Sequence, residues 1–172
     1  MATNKSSAVN WVPLLNLDLH SVNQIADHVH TSLPERPDVF AEKLSLFPQG
    51  CRKLLLDNRS VGYGISHSWV LNSIPPLDEF LVALPPEPQC LYIHDVVVLP
   101  EARGHNASGL YVEYIKALAK VMHIQALALV SVYGTDVLWS RFGFQTILNP
   151  SLTKKLLTYG ATAKYMICNL ND

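Results

Sequence analysis

The sequence predicts a single-domain α/β fold in which a mixed, mostly antiparallel sheet carries helices on both faces. Strand-like and helix-like hydrophobic patterns follow one another along the 172 residues in the order β-α-α-β-β-β-α-β-α-β-β. Between residues 90 and 133 a strand, a strongly periodic helix and another strand are consecutive, as in a βαβ unit with a right-handed crossover. Hydrophobic residues make up 49% and charged residues 16% of the chain, which is typical of a globular protein with a sizeable core.

The first half of the chain is predicted to contain one strand, two helices and a β-hairpin. Pro37 suits the first turn of a helix, and Pro48 and Gly50 end that helix. Asn58 and Arg59 separate two apolar runs, which is a hairpin pattern. The predicted elements, in chain order, are a strand at 9–17, a helix from Asp18 or Ser21 to about His30, a helix from Pro37 to about Phe47, and strands at 51–57 and 60–71.

The second half begins with a long connection at residues 72–89 that contains five prolines. A helix is predicted inside it, from Leu77 to Leu84, and inserts of this length often face a substrate. Residues 1–8 are polar and are predicted to be a flexible N-terminus, which leaves one domain at 9–172. The remaining elements, in chain order, are a strand at 91–99, a helix from about Asn106 to Met122, a strand at 125–133, a short helix from Thr135 to Arg141 that ends at Gly143, a strand near 144–148, a turn or helix at 151–160, and a final strand at 163–170.

The helix predicted at 106–122 has the most regular pattern in the sequence. Glu113, Lys116 and Lys120 recur at three- and four-residue steps and mark its polar side. We expect the opposite, apolar face to pack on the sheet. That face is predicted to consist of Ala107, Leu110, Tyr111, Tyr114, Leu118 and Val121.

Charge and cysteine usage argue against several classes of protein. The net charge is −1 and no stretch gathers Lys or Arg in a block, so nucleic-acid binding is disfavoured. Cys51, Cys90 and Cys168 are far apart and lack the spacing of a metal site, which indicates free thiols. No signal-peptide core or membrane-length apolar run is present. We therefore expect a soluble, cytoplasmic protein, a monomer or a homodimer, without nucleic-acid or membrane partners.

The stretch from Cys90 to Ile124 passes from a strand to a helix through a turn at Pro100, Arg103 and Gly104. The first amides of a helix have no intrahelical acceptor, and the helix dipole favours negative charge beside them. A strand that feeds a helix through a short turn with glycine therefore predicts an anion site, and a phosphate group is the natural ligand.

The element order, with VVVLPEARG before the long helix and WSRFGF after the next strand, resembles the GCN5-related N-acetyltransferase (GNAT) family over nearly the whole chain. The resemblance implies the acyl-CoA N-acyltransferase fold, acetyl-CoA as cosubstrate, no metal, and direct acetyl transfer to a primary amine of a small, hydrophobic or aromatic molecule. A non-catalytic acyl-CoA-binding or regulatory protein with the same fold is the alternative.

The family's phosphate-loop signature is Gln/Arg-x-x-Gly-x-Gly/Ala. Arg103 matches its first position, whereas Asn106 and Ser108 occupy the two glycine positions. Asn tolerates left-handed backbone angles better than most residues, and any residue except proline keeps its amide donor. The residues implied to cradle the pyrophosphate are Arg103, Gly104, His105, Asn106, Ala107, Ser108 and Gly109.

The strand before this turn is implied to bind the rest of the cofactor and to supply catalytic groups. In the family its backbone pairs with the pantetheine arm, here at Val96, Val97 and Val98, usually beside a bulge. The long insert and YIHDVVV also resemble the arylalkylamine (serotonin-type) N-acetyltransferases. Those enzymes carry two alternating histidines on this strand, and the matching positions are Tyr92 and His94.

His94 is the predicted general base, because its ordinary pKa lies near neutrality and it lies just before the cofactor segment. The alternative is a core histidine that is hydrogen-bonded to the backbone. Strand alternation places it on the same face as Tyr92, Val96 and Val98, with Asp95 on the other face unless a bulge intervenes. Asp95 lies in an apolar strand, so its carboxylate is expected to be hydrogen-bonded, either to anchor a loop or to take part in catalysis.

The last predicted site residues follow the next strand. The family often places a tyrosine there that protonates the leaving thiolate, and Trp139 occupies that position. Trp139 has no usable acid and is expected to pack against the cofactor arm or the core. Tyr133 is the candidate to replace the missing tyrosine. The alternative is that Tyr133 is an aromatic residue of the core at the end of the strand.

Overall fold

The structure, a computed structural model, describes residues 8–171, so that nearly all of the predicted flexible segment at 1–8 lies outside the described residues. Within the described range, no helix is both long and apolar enough to cross a membrane. The strands are β1 (Val9–Pro13), β2 (Cys51–Leu56), β3 (Arg59–Trp69), β4 (Cys90–Val98), β5 (Ala126–Ser131), β6 (Gln145–Thr146) and β7 (Lys164–Asn169). The helices are α1 (Leu19–Val29), α2 (Pro37–Leu46), α3 (Ala107–Val121), α4 (Asp136–Ser140) and α5 (Thr153–Leu157).

The seven strands form one sheet in the order β1-β2-β3-β4-β5-β7-β6. β4 and β5 are parallel, as expected for strands joined by the crossover helix α3, and the other neighbours are antiparallel. Helices α1 and α2 pack against β3 and β4 on one face of the sheet, and α3 covers the other. The predicted mixed, mostly antiparallel sheet with helices on both faces is confirmed.

The connection between β3 and β4 contains no helix, so the predicted helix from Leu77 to Leu84 is wrong. Asp78 and Val82 have φ angles of 55° and 67°, which a right-handed helix does not accommodate. The backbone amides of Leu81 and Val82 donate instead to the carboxylate of Glu42, at 2.6 and 2.9 Å. A side chain of α2 thus supplies the acceptors that a helix would have supplied.

Two further predictions of local structure need correction. β1 ends at Pro13 rather than at Leu17, and a short 3-10 turn at Asn16–Asp18 leads into α1. On α3, Leu110 and Val121 are 47% and 77% exposed, because the buried stripe runs at four-residue steps and leaves them at its flanks. The buried residues of α3 are Ala107, Gly109, Tyr111, Val112, Ile115 and Ala119.

A β-bulge in β4 determines which side chains face the two helical layers. Ile65 pairs with Asp95 and Ser66 pairs with Ile93, so His94 is an extra residue opposite β3. Beyond the bulge, Val97 packs with the layer of α1 and α2, and Val96 packs with the layer of α3.

Because His94 is inserted, Asp95 lies on the α1 and α2 side of the sheet together with Val97. The predicted common face for His94, Val96 and Val98 is therefore wrong, because His94 contacts Glu35 on the α1 and α2 side. Asp95 lies on the same side as His94 rather than opposite it, but it is opposite Val96 and Val98 as predicted. A bulge interrupts the alternation of side chains along a strand, and this is why the common face predicted by alternation is wrong.

Gly64 on β3 permits the close approach of α3 to the sheet. A Cβ at this position would collide with the ring of Tyr111. That ring is fixed, because the Tyr111 hydroxyl donates to the carbonyl of Gly50 at 2.8 Å and lies 2.7 Å from the Ser66 hydroxyl. The missing side chain of Gly64 is thus part of the packing between α3 and the sheet.

We predict that Gly64→Ala lowers the free energy of unfolding by about 1–3 kcal/mol, because the added methyl group overpacks this contact. Urea unfolding of the variant and the wild type measures the difference. The same substitution in a Tyr111→Leu background should cost less, since the ring atoms that obstruct the methyl group are absent. Equal costs in the two backgrounds would contradict this explanation.

Candidate functional site

β4 and β5 diverge at the centre of the sheet and leave a cavity between them. The two strands pair only over Leu91–Ile93 and Leu127–Leu129. Beyond Ile93, within the part of the chain that the structure describes, no strand pairs with β4 on that edge. The cavity has a volume of about 760 Å³, and Val96, Val97 and Val98 form one of its walls. An unpaired edge of this kind can bind an extended chain through backbone hydrogen bonds.

One end of the cavity, which we call the turn end, is the segment from Arg103 to Ser108. Gly104 and Asn106 adopt left-handed conformations there, with φ angles of 82° and 53°. Asn106 precedes the first residue of α3, and its side chain lies against Gly109, where a Cβ would collide with it. The first-turn amides of α3 have no intrahelical acceptor by position.

Five of the seven predicted phosphate-loop residues line the cavity at the turn end. Arg103, Gly104, Asn106, Ala107 and Ser108 line the cavity. The other two predicted residues do not: His105 is exposed, and Gly109 is buried beneath Asn106.

The other end of the cavity, which we call the histidine end, brings together His30, Asp95 and Tyr133. The Nε2 atom of His30 lies 3.0 Å from both carboxylate oxygens of Asp95. The Nδ1 atom of His30 lies 3.3 Å from the Tyr133 hydroxyl, and the two rings are stacked with centroids 5.9 Å apart. Tyr63 donates its hydroxyl hydrogen to Asp95 at 2.6 Å. Asp95 is thus hydrogen-bonded from two sides, and Tyr133 is 52% exposed rather than in the core.

His94 lies beneath this end and is paired with Glu35. Its Nε2 atom is 2.9 and 3.1 Å from the two oxygens of Glu35, and the two side chains are only 2% and 6% exposed. Burial raises the pKa of Glu35, but the charge and hydrogen bond of His94 and the charge of Lys43 outweigh it and bring the pKa down to about 2. The structure therefore presents His94 as the buried hydrogen-bond partner of Glu35.

Two further polar groups lie behind this pair. Burial, with the charge of His94, lowers the pKa of His67 to about 3, so His67 is neutral, and its Nδ1 atom donates to the Ser68 carbonyl at 3.1 Å. The Nε2 atom of His67, the Nδ1 atom of His94 and the Nζ atom of Lys43 are buried without a hydrogen-bond partner among the described residues. Of these three residues, only His94 lines the cavity.

Tyr92 and Trp139 complete the set of predicted residues. Tyr92 is fully buried in a cluster with Tyr159 and Tyr165 and does not itself line the cavity. Trp139 is buried in the layer of α3 and also lines the cavity, and its indole N–H donates to the hydroxyl of Thr135 at 3.2 Å.

The long connection at 72–89, which was expected to face a substrate, contributes one residue to the lining of the cavity. Leu77 lines the cavity. Ile74 and Leu81 are buried, and Phe80 lies under the guanidinium of Arg36, 5.4 Å from its ring centroid. Arg36 also donates to the Asp78 carboxylate from its backbone amide at 2.6 Å and from Nε at 3.2 Å, so the connection is tied to the start of α2.

Comparisons with known proteins bear on the fold. No family model and no curated protein matches the sequence. Solved structures do match. Ard1 from Thermoplasma volcanium is 12% identical with a TM-score of 0.72, and the match covers 96% of this chain and 99% of that one. The chain has the fold of the GNAT acyltransferases.

Two other solved structures illustrate the range of proteins with this GNAT fold. A GNAT-like decarboxylase, GphF, in complex with isobutyryl-CoA is 14% identical with a TM-score of 0.77, over 94% of this chain and 100% of that chain. A chain of the NatC complex bound to Gag peptide and CoA is 17% identical with a TM-score of 0.71, over 95% and 99%. The predicted GNAT fold is confirmed, and identities this low carry no further conclusion.

Sequence reasoning missed His30, Glu35 and Tyr63. His30 is separated from Asp95 by 65 residues, and Glu35 from His94 by 59. In the sequence, His30 stands out only because His28 is two residues away. Two residues at that spacing do not lie on one face of a helix, so the pair does not indicate a metal site. No spacing between nearby residues in the sequence indicates that the end of α1 contacts β4.

We predict that Glu35 makes stability depend on pH in a defined window. Its pKa in the folded protein, about 2, lies below its ordinary value of 4.5, so its stabilising effect is complete above pH 4.5 and is lost as the pH falls towards 2. The loss amounts to about 3 kcal/mol at most, and Glu35→Gln should remove it. Urea unfolding at several pH values measures both. Glu113→Gln, which changes a carboxylate that is 68% exposed, is the control. An unchanged acid response in Glu35→Gln would contradict the assignment.

Proposed function

We propose that this protein is an N-acetyltransferase that moves the acetyl group of acetyl-CoA to a primary amine of a small, hydrophobic or aromatic molecule. The proposal rests on one observation, the unpaired edge of β4 that runs along a cavity and ends at a helix N-terminus. This arrangement offers an extended acyl-CoA arm a strand to pair with, and offers its pyrophosphate a set of free amides. The GNAT fold supports the same function.

The cofactor would lie with its pantetheine arm along Val96–Val98 and its pyrophosphate at the turn end. The left-handed conformation of Asn106 supports this, since it orients the first-turn amides of α3 without the glycine found in the family signature. Arg103 is exposed beside the same amides and adds a positive charge. The thioester would then lie near the divergence of β4 and β5, where Ile93 and Leu129 form apolar walls.

The amine would enter at the histidine end. Leu33, Leu77 and Tyr159 contribute apolar and aromatic surface there, and Glu35 and Asp95 contribute negative charge. Arg103, at the opposite end, is the only Lys or Arg that lines the cavity within residues 8–171. This distribution favours a cationic amine with an apolar body, because the carboxylates attract the ammonium group while the walls bind the remainder.

A titration of acetyl-CoA by calorimetry, followed by an assay of free thiol release, tests the proposal. The acceptors are phenethylamine, tyramine and tryptamine, with a short peptide that has a free N-terminus as the comparison. We expect binding and turnover with the aromatic amines. Preferential turnover of the peptide would contradict the small-molecule assignment, and absence of acetyl-CoA binding would contradict the whole proposal.

The second candidate is a non-catalytic acyl-CoA-binding or regulatory protein. Asn106 favours it, because a side chain occupies a position where the family signature has glycine. Binding of acetyl-CoA without turnover of any acceptor would support this candidate against the first.

We predict that Ser108→Asp weakens acetyl-CoA binding by at least about tenfold, because it places a carboxylate where the pyrophosphate would lie. An acidic residue in the first turn of α3 interacts favourably with the helix dipole, so the melting temperature should not fall. Ser108→Asn, of nearly equal size and without charge, is the matched control. Equal affinities for the Asp and Asn variants would show that the anion does not bind at the turn end.

A further inference from the structure

We propose that His30 is the proton acceptor of the reaction, that it acts through the hydroxyl of Tyr133, and that Asp95 holds its imidazole in position. The inference rests on the proposed function and names the groups that perform its proton transfers. His30 comes from the end of α1, Asp95 from the bulged part of β4, and Tyr133 from the connection after β5. All three line the histidine end of the cavity.

The hydrogen bonds define which nitrogen of His30 is basic. Asp95 accepts hydrogen bonds, so the Nε2 atom of His30, 3.0 Å from both of its oxygens, carries a hydrogen and donates. The Nδ1 atom of the neutral ring then has a free lone pair. It lies 3.3 Å from the Tyr133 hydroxyl, which donates to it and keeps its own oxygen lone pairs for the cavity. Tyr63 donates to Asp95 at 2.6 Å and fixes the carboxylate.

The backbone around Tyr133 supports a functional role for its position. Tyr133 has a φ angle of 55° and Gly134 one of 72°, so two consecutive residues are left-handed at the end of β5. A left-handed tyrosine is an uncommon and strained conformation, and such residues cluster at functional sites. Here this conformation turns the ring of Tyr133 away from the core and stacks it on His30. Tyr133 is 52% exposed as a result.

The charges around His30 favour its protonated form during the reaction. Burial lowers the pKa of His30, but the hydrogen bond and charge of Asp95 and the charge of Glu35 outweigh it, so the pKa is raised above its ordinary value of 6.5. The other groups that contact His30 or Asp95 are the hydroxyls of Tyr63 and Tyr133. Burial and Asp95 raise the pKa of Tyr63 well above its ordinary range. On α1 itself, Asp27 and His28 are the neighbouring titratable groups, and both are exposed.

His94, the base predicted from the sequence, is less well placed for this role. Its Nε2 atom is occupied by Glu35, and its side chain is 2% exposed. His30 is 15% exposed and is hydrogen-bonded to a hydroxyl that opens onto the cavity. The geometry assigns the proton transfer to His30 and leaves His94 as the partner of Glu35.

The relay balances the protons of acetyl transfer. The ammonium group first loses a proton to solvent. The neutral amine then attacks the thioester carbonyl, a C–N bond forms as the π electrons of the carbonyl move to its oxygen, and the nitrogen becomes positively charged. Tyr133 takes a proton from that nitrogen on its oxygen as it passes its own hydrogen to the Nδ1 atom of His30. The C–S bond then breaks, Tyr133 gives its hydrogen to the thiolate, and His30 returns the proton to Tyr133. The products are the amide and the free thiol, and both residues regain their starting state.

The test compares pH–rate profiles of the full-length chain with acetyl-CoA and the best acceptor among phenethylamine, tyramine and tryptamine. In the wild type, kcat/KM calculated on the concentration of neutral amine should rise with pH above 6.5 as His30 loses its proton. His30→Gln and Tyr133→Phe should lower kcat on the order of a hundredfold, and His30→Gln should abolish that rise. Asp95→Asn should shift the rise to lower pH, because burial then dominates the pKa of His30.

His20→Gln, an exposed histidine on the same helix, is the matched control and should keep the wild-type profile. Tyr133 is exposed, so Tyr133→Phe tests the relay without a threat to folding, and calorimetry with acetyl-CoA should give the wild-type affinity for both variants. A wild-type profile in His30→Gln, or an unchanged kcat in Tyr133→Phe, would overturn the relay and leave the acetyltransferase assignment intact. Failure of the wild type to acetylate any acceptor would instead overturn the proposed function, and the relay with it.

Discussion

The arrangement of the site depends on one irregularity in the sheet, the bulge at His94. One extra residue opposite β3 turns Asp95 towards the layer of α1 and α2, where it meets His30 and Tyr63. The pairing of β4 with β5 ends at Ile93, directly before the bulge, so the cavity begins where the strand changes face. If β4 alternated strictly from Ile93, which packs in the layer of α3, Asp95 would point into that layer and the histidine end would lose its carboxylate.

Two acidic residues, Glu35 and Glu42, fix the backbone of the connection before β4. Glu35 accepts hydrogen bonds from His94 and from the Asp78 amide, and Glu42 accepts from two amides of the same connection. Removal of one partner of such a pair leaves a buried, unsatisfied group, which costs more than the bond itself contributes. Glu35, between α1 and α2, and Glu42, on α2, therefore hold the connection before β4 in a defined conformation although that connection has no helix or strand.

The parts of the fold that the sequence predicted are those set by local patterns. The run from β4 through α3 to β5 was predictable because a strand, a turn with glycine and a periodic helix are consecutive. The face of β4 was not, because Leu91, Tyr92 and Ile93 are all buried and give no alternation to read. His30 and Asp95 meet across 65 residues, so their pairing depends on how α1 packs on the sheet. The connection at 72–89 had the composition of a helix flanked by prolines, but distant carboxylates determined its backbone.

Amide chemical shifts measured during an acetyl-CoA titration would show whether acyl-CoA binds where β4 diverges from β5. We expect saturable shifts of the amides of Val96–Val98 and of residues 104–108. The amides that line the shallow cleft between α3 and β6, such as those of Lys120 and Gln145, should stay unchanged. Shifts confined to that cleft, or none at millimolar acetyl-CoA, would contradict the account.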